Sequence, residues 1–507
     1  MPQVLVETPA DLDPAAVLAV ADGVEVVLSS GLTDALTVSR AATEQALASA
    51  GPVYGVTTGM GNQAHLSIGA DEQPAFQDHL MLARSVGTAP WLDRREVRAV
   101  LATRLRTLLE PEVGVSPDLA RAIAAVLTAG LHPAVPTAGN GAAGEIIPLA
   151  HLGAFLTGRG EGLDHSGRSR PAGPLLRDAG MSPYSFAAKE GVAFLQGVPV
   201  ATALGVLLGS AARLLATQVT VVASAEVALV RAPRDPYAAA LARGDDELAV
   251  VLEAIRSLAG DEPAPHLLQA PVSFRVVGPA LAVLHRAVRS LDQSVGRALT
   301  GVSTSPALVG GRFLGTAGFH GFDLAAAADA VRLAVLHVAE LGAARLHRLL
   351  DPRVTGLPAQ LSLEPGRQAG LVALHKRAVG LVHEARRTSA PAALGATETS
   401  LGHEDAQGFA VEAARAALGS LEVLRDVTAC ELLAVHQAQL LDPAPRRGSE
   451  ALNLVLHHAF RVLPDRADDR PTGRDVAAIV AALGIGWADH VLPSERDQPS
   501  SADVPRS

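Results

Sequence analysis

Between Asp323 and Asp351 the sequence DLAAAADAVRLAVLHVAELGAARLHRLLD keeps apolar residues on one line for its whole length. Ala328, Val331, Val335, Val338, Leu346 and Leu349 are joined through Gly342, so every step is three or four residues and the set makes one helix face. Asp323 is placed as the N-cap, and Pro352 stops the helix. Such a run, roughly 28 residues, is about 42 Å long at the α-helical rise. Leu371–Arg387 and Gly408–Leu441 read the same way. From about residue 200 onward, the expected architecture is therefore a long-helix bundle.

The first 200 residues are more broken. Gly/Pro-rich loops lie at Gly51–Gly61, His132–Gly144 and Gly158–Pro174, and short β-type runs such as Glu25-Val26-Val27-Leu28 are clearest there. The expected fold is mainly α, with an N-terminal α+β loop-rich region over 1–200, a helical bundle over 201–492, and a disordered polar tail over 493–507. Gly191–Ala212 carries no charge and is long enough to span a bilayer, but Gln196, Pro199 and its glycines fit a helix buried inside a bundle better.

A chain of 507 residues that is 49% hydrophobic can bury a large core. Its net charge of −10 argues against a nucleic-acid or anionic-membrane partner, since both favour a basic face. The single cysteine, Cys430, sits in an apolar run and reads as a buried thiol; it excludes an intrachain disulfide and a Cys-based zinc site. The start, MPQVLVETPADLDP, has no basic segment followed by an apolar core, so a cytoplasmic protein is expected. Abundant Ala, Leu, Val and Arg with little Lys suggest a high-GC bacterial gene.

Gly139-Asn140-Gly141-Ala142-Ala143-Gly144 is a literal G-x-G-x-x-G. A dinucleotide fingerprint needs a buried strand before it and βαβ alternation around it. Here Pro133 and Pro136 precede it, and a central strand does not tolerate them. Asp164 falls at the right distance for a ribose contact, but inside a Gly-rich loop. The stretch belongs to something else.

Read with its neighbours, Gly141–His151 (GAAGEIIPLAH) resembles the active-site loop GASGDLAPLAH of the histidine and phenylalanine ammonia-lyase and aminomutase family. More segments match in the family's order. Val53–Gly61 (VYGVTTGMG) resembles VYGxNTGFG, and Lys189–Gly197 (KEGVAFLQG) resembles KEGLALxNG. Gln269–Arg275 (QAPVSFR) resembles QDxYSxRC, Gly318–Gly321 (GFHG) resembles NFHG, and His403–Asp405 resembles QED. Six ordered matches are far more specific than any one motif. The resemblance implies a homotetramer whose active sites combine loops from several subunits, so that Tyr54 and Glu404 meet across an interface.

It also implies roles. Tyr54 is the catalytic base, and Arg275 holds the substrate carboxylate. Arg84 lies in the segment that selects the substrate side chain, where it favours an anionic or strongly polar group over a bare phenyl ring. His79, Gln196 and Phe319 line the substrate site, and Glu404 is a second acid/base or pairs with a cationic ring. Ala142, Ala143 and Gly144 stand where the family's Ala-Ser-Gly cyclises to methylidene-imidazolone, the electrophile that turns the substrate amine into a leaving group. Its methylene is the serine Cβ after the hydroxyl departs. Ala143 has no hydroxyl to lose, so no cofactor is expected here. Gln196 in place of Asn, Val272 in place of a second tyrosine, Glu145 in place of Asp, and Thr300–Pro306 in place of NSxTDNP remodel the same pocket.

An isolated loop tyrosine is more often a packing residue, an arginine on an apolar run needs some carboxylate, and a Glu beside Asp405 is ordinarily solvated. The matched motifs favour the site reading of each. A free phenol with pKa near 10 is a poor base at neutral pH, so it needs nearby positive charge or helix dipoles, or else serves as the acid. His79, His320 and His403 lack metal-ligand spacing, and no HExxH or G-x-S-x-G is present. Three functions are left. The leading one is an enzyme using Tyr54 acid/base chemistry, without the electrophile, for elimination, isomerisation or cyclisation of a small carboxylate-bearing substrate. The others are an aromatic amino acid (histidine-type) ammonia-lyase or aminomutase inactivated by Ser-to-Ala at 143, and a non-catalytic binding or scaffold homologue.

Overall fold

A buried helix, Arg94–Leu108, explains how the N-terminal part is assembled. Asp93 and Glu96 close a capping box at its start, Asp93 Oδ1 accepting from the Glu96 amide and Glu96 Oε2 from the Asp93 amide, both at 2.8 Å. Every residue from Val97 to Leu108 is buried, arginines included. A buried guanidinium must find acceptors, and here it finds carbonyls at the C-terminal ends of other helices, where the intrahelical ladder runs out. Arg98 donates to Val20 O at 2.7 Å in the last turn of helix Pro14–Ala21, and to Leu127 O at 2.8 Å in the last turn of Pro117–Thr128. Arg104 donates to Ala193 O at 3.2 Å and to Gln196 O at the end of Glu190–Leu195.

The structure is a computed structural model describing residues 2–487 apart from 263, 396, 445 and 446. The tail expected from Pro493 lies outside the described residues. The protein is mainly α, as expected. Among the described residues the strands form three small pairs: Gln3–Val6 parallel to Glu25–Leu28, Glu161–Leu163 antiparallel to Ser169–Pro171, and Ala307–Val309 antiparallel to Arg312–Leu314. Residues 132–138, which lead into Gly139, form only isolated bridges, so no strand feeds the glycine-rich stretch. Asp164 is occupied by its own turn, accepting from Ser166 and Arg168.

The periodic segments are helices over Phe322–Leu349, Val372–Arg387 and Ala410–Leu441. Asp323 lies inside the first turn rather than at the cap. The apolar run from Gly191 is broken: Glu190–Leu195 ends, Gln196 is extended, Gly197 bends the chain at φ +103°, and Pro199–Leu229 begins with proline, which a helix tolerates in its first turn. All of its apolar window is buried.

Two compact units divide the chain differently from a single break at residue 200. One comprises 1–208, 290–329 and 391–415; the other comprises 209–289, 330–390 and 416–507. All but the break at 390/391 fall inside long helices, which composition has no means to mark. The second unit contains helices Asp246–Ala259 and Glu450–Phe460 together with the distal stretches of the long ones. At its centre Arg345 Nε lies 2.5 Å from Glu226 Oε2, and Arg345 Nη2 lies 2.6 Å from Glu431 Oε1; all three side chains are at most 1% exposed. A Cβ at position 342 would stand 2.6 Å from Glu431 Oε2, so the glycine on the helix's apolar line makes room for a carboxylate. Cys430 is buried beside it, and burial pushes its thiol up to about 12.

Candidate active site

The glycine-rich loop is closed on itself and held at both flanks. Asn140 Nδ2 donates to Gly144 O at 2.8 Å, drawing residues 140–144 into a tight arch at the start of helix Ile146–Leu156. Glu145 is 2% exposed, and its two oxygens accept from the Val200 and Ala201 amides at 2.6 and 2.7 Å. A carboxylate at a helix N-terminus satisfies donors the helix cannot use and gains from the dipole. Burial nevertheless pushes Glu145 up to about 8, opposed by those two bonds and by nearby Arg104, whose own pKa burial lowers to about 9. Thr103 Oγ1 donates to Pro199 O at 2.8 Å, completing the support. Gly144 has little freedom on its other side, since a Cβ there would lie 3.2 Å from Phe319 O.

Two other segments meet this loop within the first unit. The turn Ser400–Gly402 leads into Glu404, whose Oε2 accepts from the Ala143 amide at 2.8 Å and whose Oε1 accepts from Ser400 Oγ at 3.2 Å. The 3₁₀ turn Gly61–Gln63 packs against Ser400–Gly402. Tyr54 precedes it in the same loop, and its phenol oxygen accepts from the Gly61 amide at 2.7 Å. Gly55 must be glycine: its φ is +69°, and a Cβ would come within 2.8 Å of Val192. Gln77 Nε2 pins the Gly55 carbonyl at 2.9 Å.

Arg84 is the last residue of helix Gln73–Arg84 and is half-buried. Burial holds its pKa below the ordinary value, while Tyr54 and Glu404 oppose that shift, so the phenol, the guanidinium and the carboxylate share one electrostatic environment. Tyr54, Arg84, Ala143 and Glu404 therefore converge within a single chain, where the sequence led to the expectation that Tyr54 and Glu404 meet across an interface. The local reason is the 61–63 and 400–402 turn contact, which no linear pattern announces.

The remaining expected residues are placed as follows. Gln196 is half-buried, its carbonyl taken by Arg104. Phe319 is half-buried beside Gly144. His79 is exposed, one turn and more before Arg84 on the same helix. Arg275 lies in the second unit, in the short helix Val272–Arg275, with its Nε buried and unpartnered. His151, in the matched motif, is structural: its Nε2 accepts from the Gly87 amide at 2.9 Å and its Nδ1 faces Ala134 O at 3.0 Å, fixing a neutral tautomer as burial lowers its pKa. Sequence reasoning missed Arg104 and Asn140. Two arginines, Arg104 and Arg106, inside the apolar run VLATRLRTLL were the available signal, because a charge there must be buried with partners.

A loop arch at a helix N-terminus, a phenol held by a backbone donor, and a guanidinium and carboxylate within electrostatic reach of it are gathered in the first unit. The chain belongs to the aromatic amino acid lyase family, whose sequence pattern matches residues 12–461. It is 32% identical over 464 residues to the histidine ammonia-lyase of Geobacillus thermodenitrificans (strain NG80-2), covering 89% of this chain and 91% of that one. It is 32% identical over 480 residues to that of Aromatoleum aromaticum (strain DSM 19018 / LMG 30748 / EbN1), covering 91% and 90%. The tyrosine aminomutase of Streptomyces globisporus superposes with a TM-score of 0.90 at 25% identity, covering 96% of this chain and 98% of that one.

Proposed function

We propose that the protein is a lyase-family enzyme that works without the methylidene-imidazolone electrophile, using Tyr54 acid/base chemistry for elimination, isomerisation or cyclisation of a small carboxylate-bearing substrate. The observation that carries this reading is the state of residue 143. Its side chain has no hydroxyl to lose, and its amide N–H, which the imidazolone ring does not retain, is donated to Glu404 Oε2 at 2.8 Å. The residues present do not fit the prosthetic group. A substrate here must carry a leaving group that departs without being made electrophile-bound: a base takes the carbon-bound proton, that electron pair forms the new double bond, and the leaving group departs with its own pair. Tyr54 supports both halves of such a step. The Gly61 N–H stabilises negative charge on its oxygen, and the phenol proton is free for a departing group.

Tyr54→Phe removes only that oxygen. Its expected effect is a loss of turnover of roughly 10²–10⁴-fold with the fold retained. The measurement is ultraviolet detection of unsaturated acid from a panel of β-substituted 3-arylpropionates, with circular dichroism as the folding control. Unchanged turnover moves the chemistry to another residue.

A second reading, a histidine-type ammonia-lyase or aminomutase stopped only at residue 143, is favoured by Ala142 and Gly144, which are intact on either side. Ala143→Ser separates the two. We expect the variant to keep its full sequence mass, with no loss of two waters and no imidazolone absorbance, since Gln196, Val272 and Thr304 depart from the family's pattern. Recovery of that absorbance together with ammonia release from an aromatic amino acid promotes the second reading.

A further inference from the structure

The last turns of helix Ala410–Leu441 place His436 and Leu440 on one face, four residues apart. Helix Glu450–Phe460 ends beside them, and the chain leaves it through Arg461, Leu463 and Asp465. These residues line a cavity of about 220 Å³ that lies wholly within the second unit. Its buried wall is aromatic and apolar: His436 and Phe460 are 6% and 9% exposed, with ring centroids 4.7 Å apart, edge to face. The loop carrying Asp465 is tied to both helices. Gln437 Nε2 donates to Ala467 O at 2.6 Å, and the Leu463 amide donates to Phe460 O at 2.9 Å.

Most charges along this loop are committed. Arg466 pairs with Asp468, Arg470 Nε lies 2.9 Å from Asp475, and Asp469 accepts from the Ala369 and Gly370 amides at 2.7 and 2.9 Å. Arg461 and Asp465 are the contrast. They are opposite in sign, exposed and on the lining of one cavity, yet neither side chain makes a hydrogen bond or an ion pair among the described residues. We infer that this cavity is a second small-molecule site, which binds a free α-amino acid with a short apolar side chain. The carboxylate sits on Arg461 and the ammonium on Asp465. A guanidinium fork matches a carboxylate, and a carboxylate accepts from an ammonium. Only a zwitterion satisfies both charges at once. The ligand's side chain covers Phe460, Leu440 and Leu463, removing apolar surface from water. The volume sets the size, since it falls below the roughly 300–1,000 Å³ of sites for drug-sized ligands. This site is separate from the chemistry proposed above, whose Tyr54, Ala143 and Glu404 belong to the first unit.

Calorimetric titration of the full chain with three probes tests this: L-leucine, 4-methylpentanoate, which lacks the ammonium, and 3-methylbutylamine, which lacks the carboxylate. The expected result is an L-leucine dissociation constant of about 1 mM or below, with each analogue binding about tenfold more weakly. The factor is modest because both charges are at the exposed rim, where solvent screens them. Arg461→Gln and Asp465→Asn each weaken L-leucine binding by about tenfold, to the level of the analogue lacking the matching group. Both side chains are exposed, so the fold is expected to be kept, as circular dichroism checks. No binding of L-leucine at about 10 mM overturns the inference. Analogues that bind as tightly as L-leucine overturn it too, as does a loss confined to one of the two variants. L-leucine affinity unchanged in both variants places the binding elsewhere and overturns it as well.

Discussion

The two units bury charge in opposite ways. In the first, Glu145 and Arg104 are both inside, yet their hydrogen bonds go to backbone: Glu145 to the Val200 and Ala201 amides, Arg104 to the Ala193 and Gln196 carbonyls. In the second, Glu226, Arg345 and Glu431 are equally buried and bind one another. Both arrangements take charges out of water at a cost of several kcal/mol per ion. What they return differs. Side chains bonded to backbone fix where a loop and a helix end stand, which a site requires. Side chains bonded to each other tie together helices Pro199–Leu229, Phe322–Leu349 and Ala410–Leu441, which a bundle requires. The triad also carries two carboxylates against one guanidinium. Burial, with Glu431 adding to it, pushes Glu226 well above the usual carboxylate range.

Breaking the side-chain cluster has the largest expected effect. Arg345→Met leaves Glu226 and Glu431 buried and facing each other without the cation between them. Removing one partner of a buried ion pair costs about 3–5 kcal/mol, and equilibrium urea unfolding reads this directly. A loss under about 1 kcal/mol would mean that apolar packing alone fixes these three helices and that the contrast between the units is decorative.

Much of this was legible in the residues. The 323–351 periodicity gave the bundle because a helix face repeats on a period the chain displays locally. Tyr54, Ala143 and Glu404 were found through ordered motifs, and the structure gathers them around one loop. The charged cores were not legible. Glu226 sits in SAEVALV and Arg345 in AARLHRLL, and each looks like one polar residue in an apolar helix. Their partners are 119 and 86 residues away, so the pairing exists only after the helices pack. Gly342 shows the same limit: on the sequence it fills a gap in an apolar line, whereas in the fold it is the space that admits Glu431. The interleaved unit boundaries are mostly hidden too, since all but the one at 390/391 fall within uninterrupted helices.

The loop anchor gives the smaller, sharper test. Glu145→Gln keeps the size of the side chain but replaces one acceptor oxygen with an NH₂ group, so either the Val200 or the Ala201 amide loses its partner. An unsatisfied buried donor costs about 1–3 kcal/mol, partly offset by no longer burying an ionisable group. The pH dependence decides how those effects balance. With a folded pKa of about 8 against an ordinary 4.5, Glu145 binds its proton more tightly in the native chain than in the unfolded one. The stability it contributes is then fully present below its unfolded pKa and is lost as pH rises through its folded pKa. Glutamine has no such slope. The deficit of Glu145→Gln should therefore be largest near about pH 5 and shrink toward about pH 8, as measured by thermal unfolding of both proteins across that range. A deficit constant with pH would mean that the two backbone amides keep Glu145 ionised despite its burial. In that case the loop is held by a full negative charge on the helix N-terminus, where the Val200 and Ala201 amides meet it.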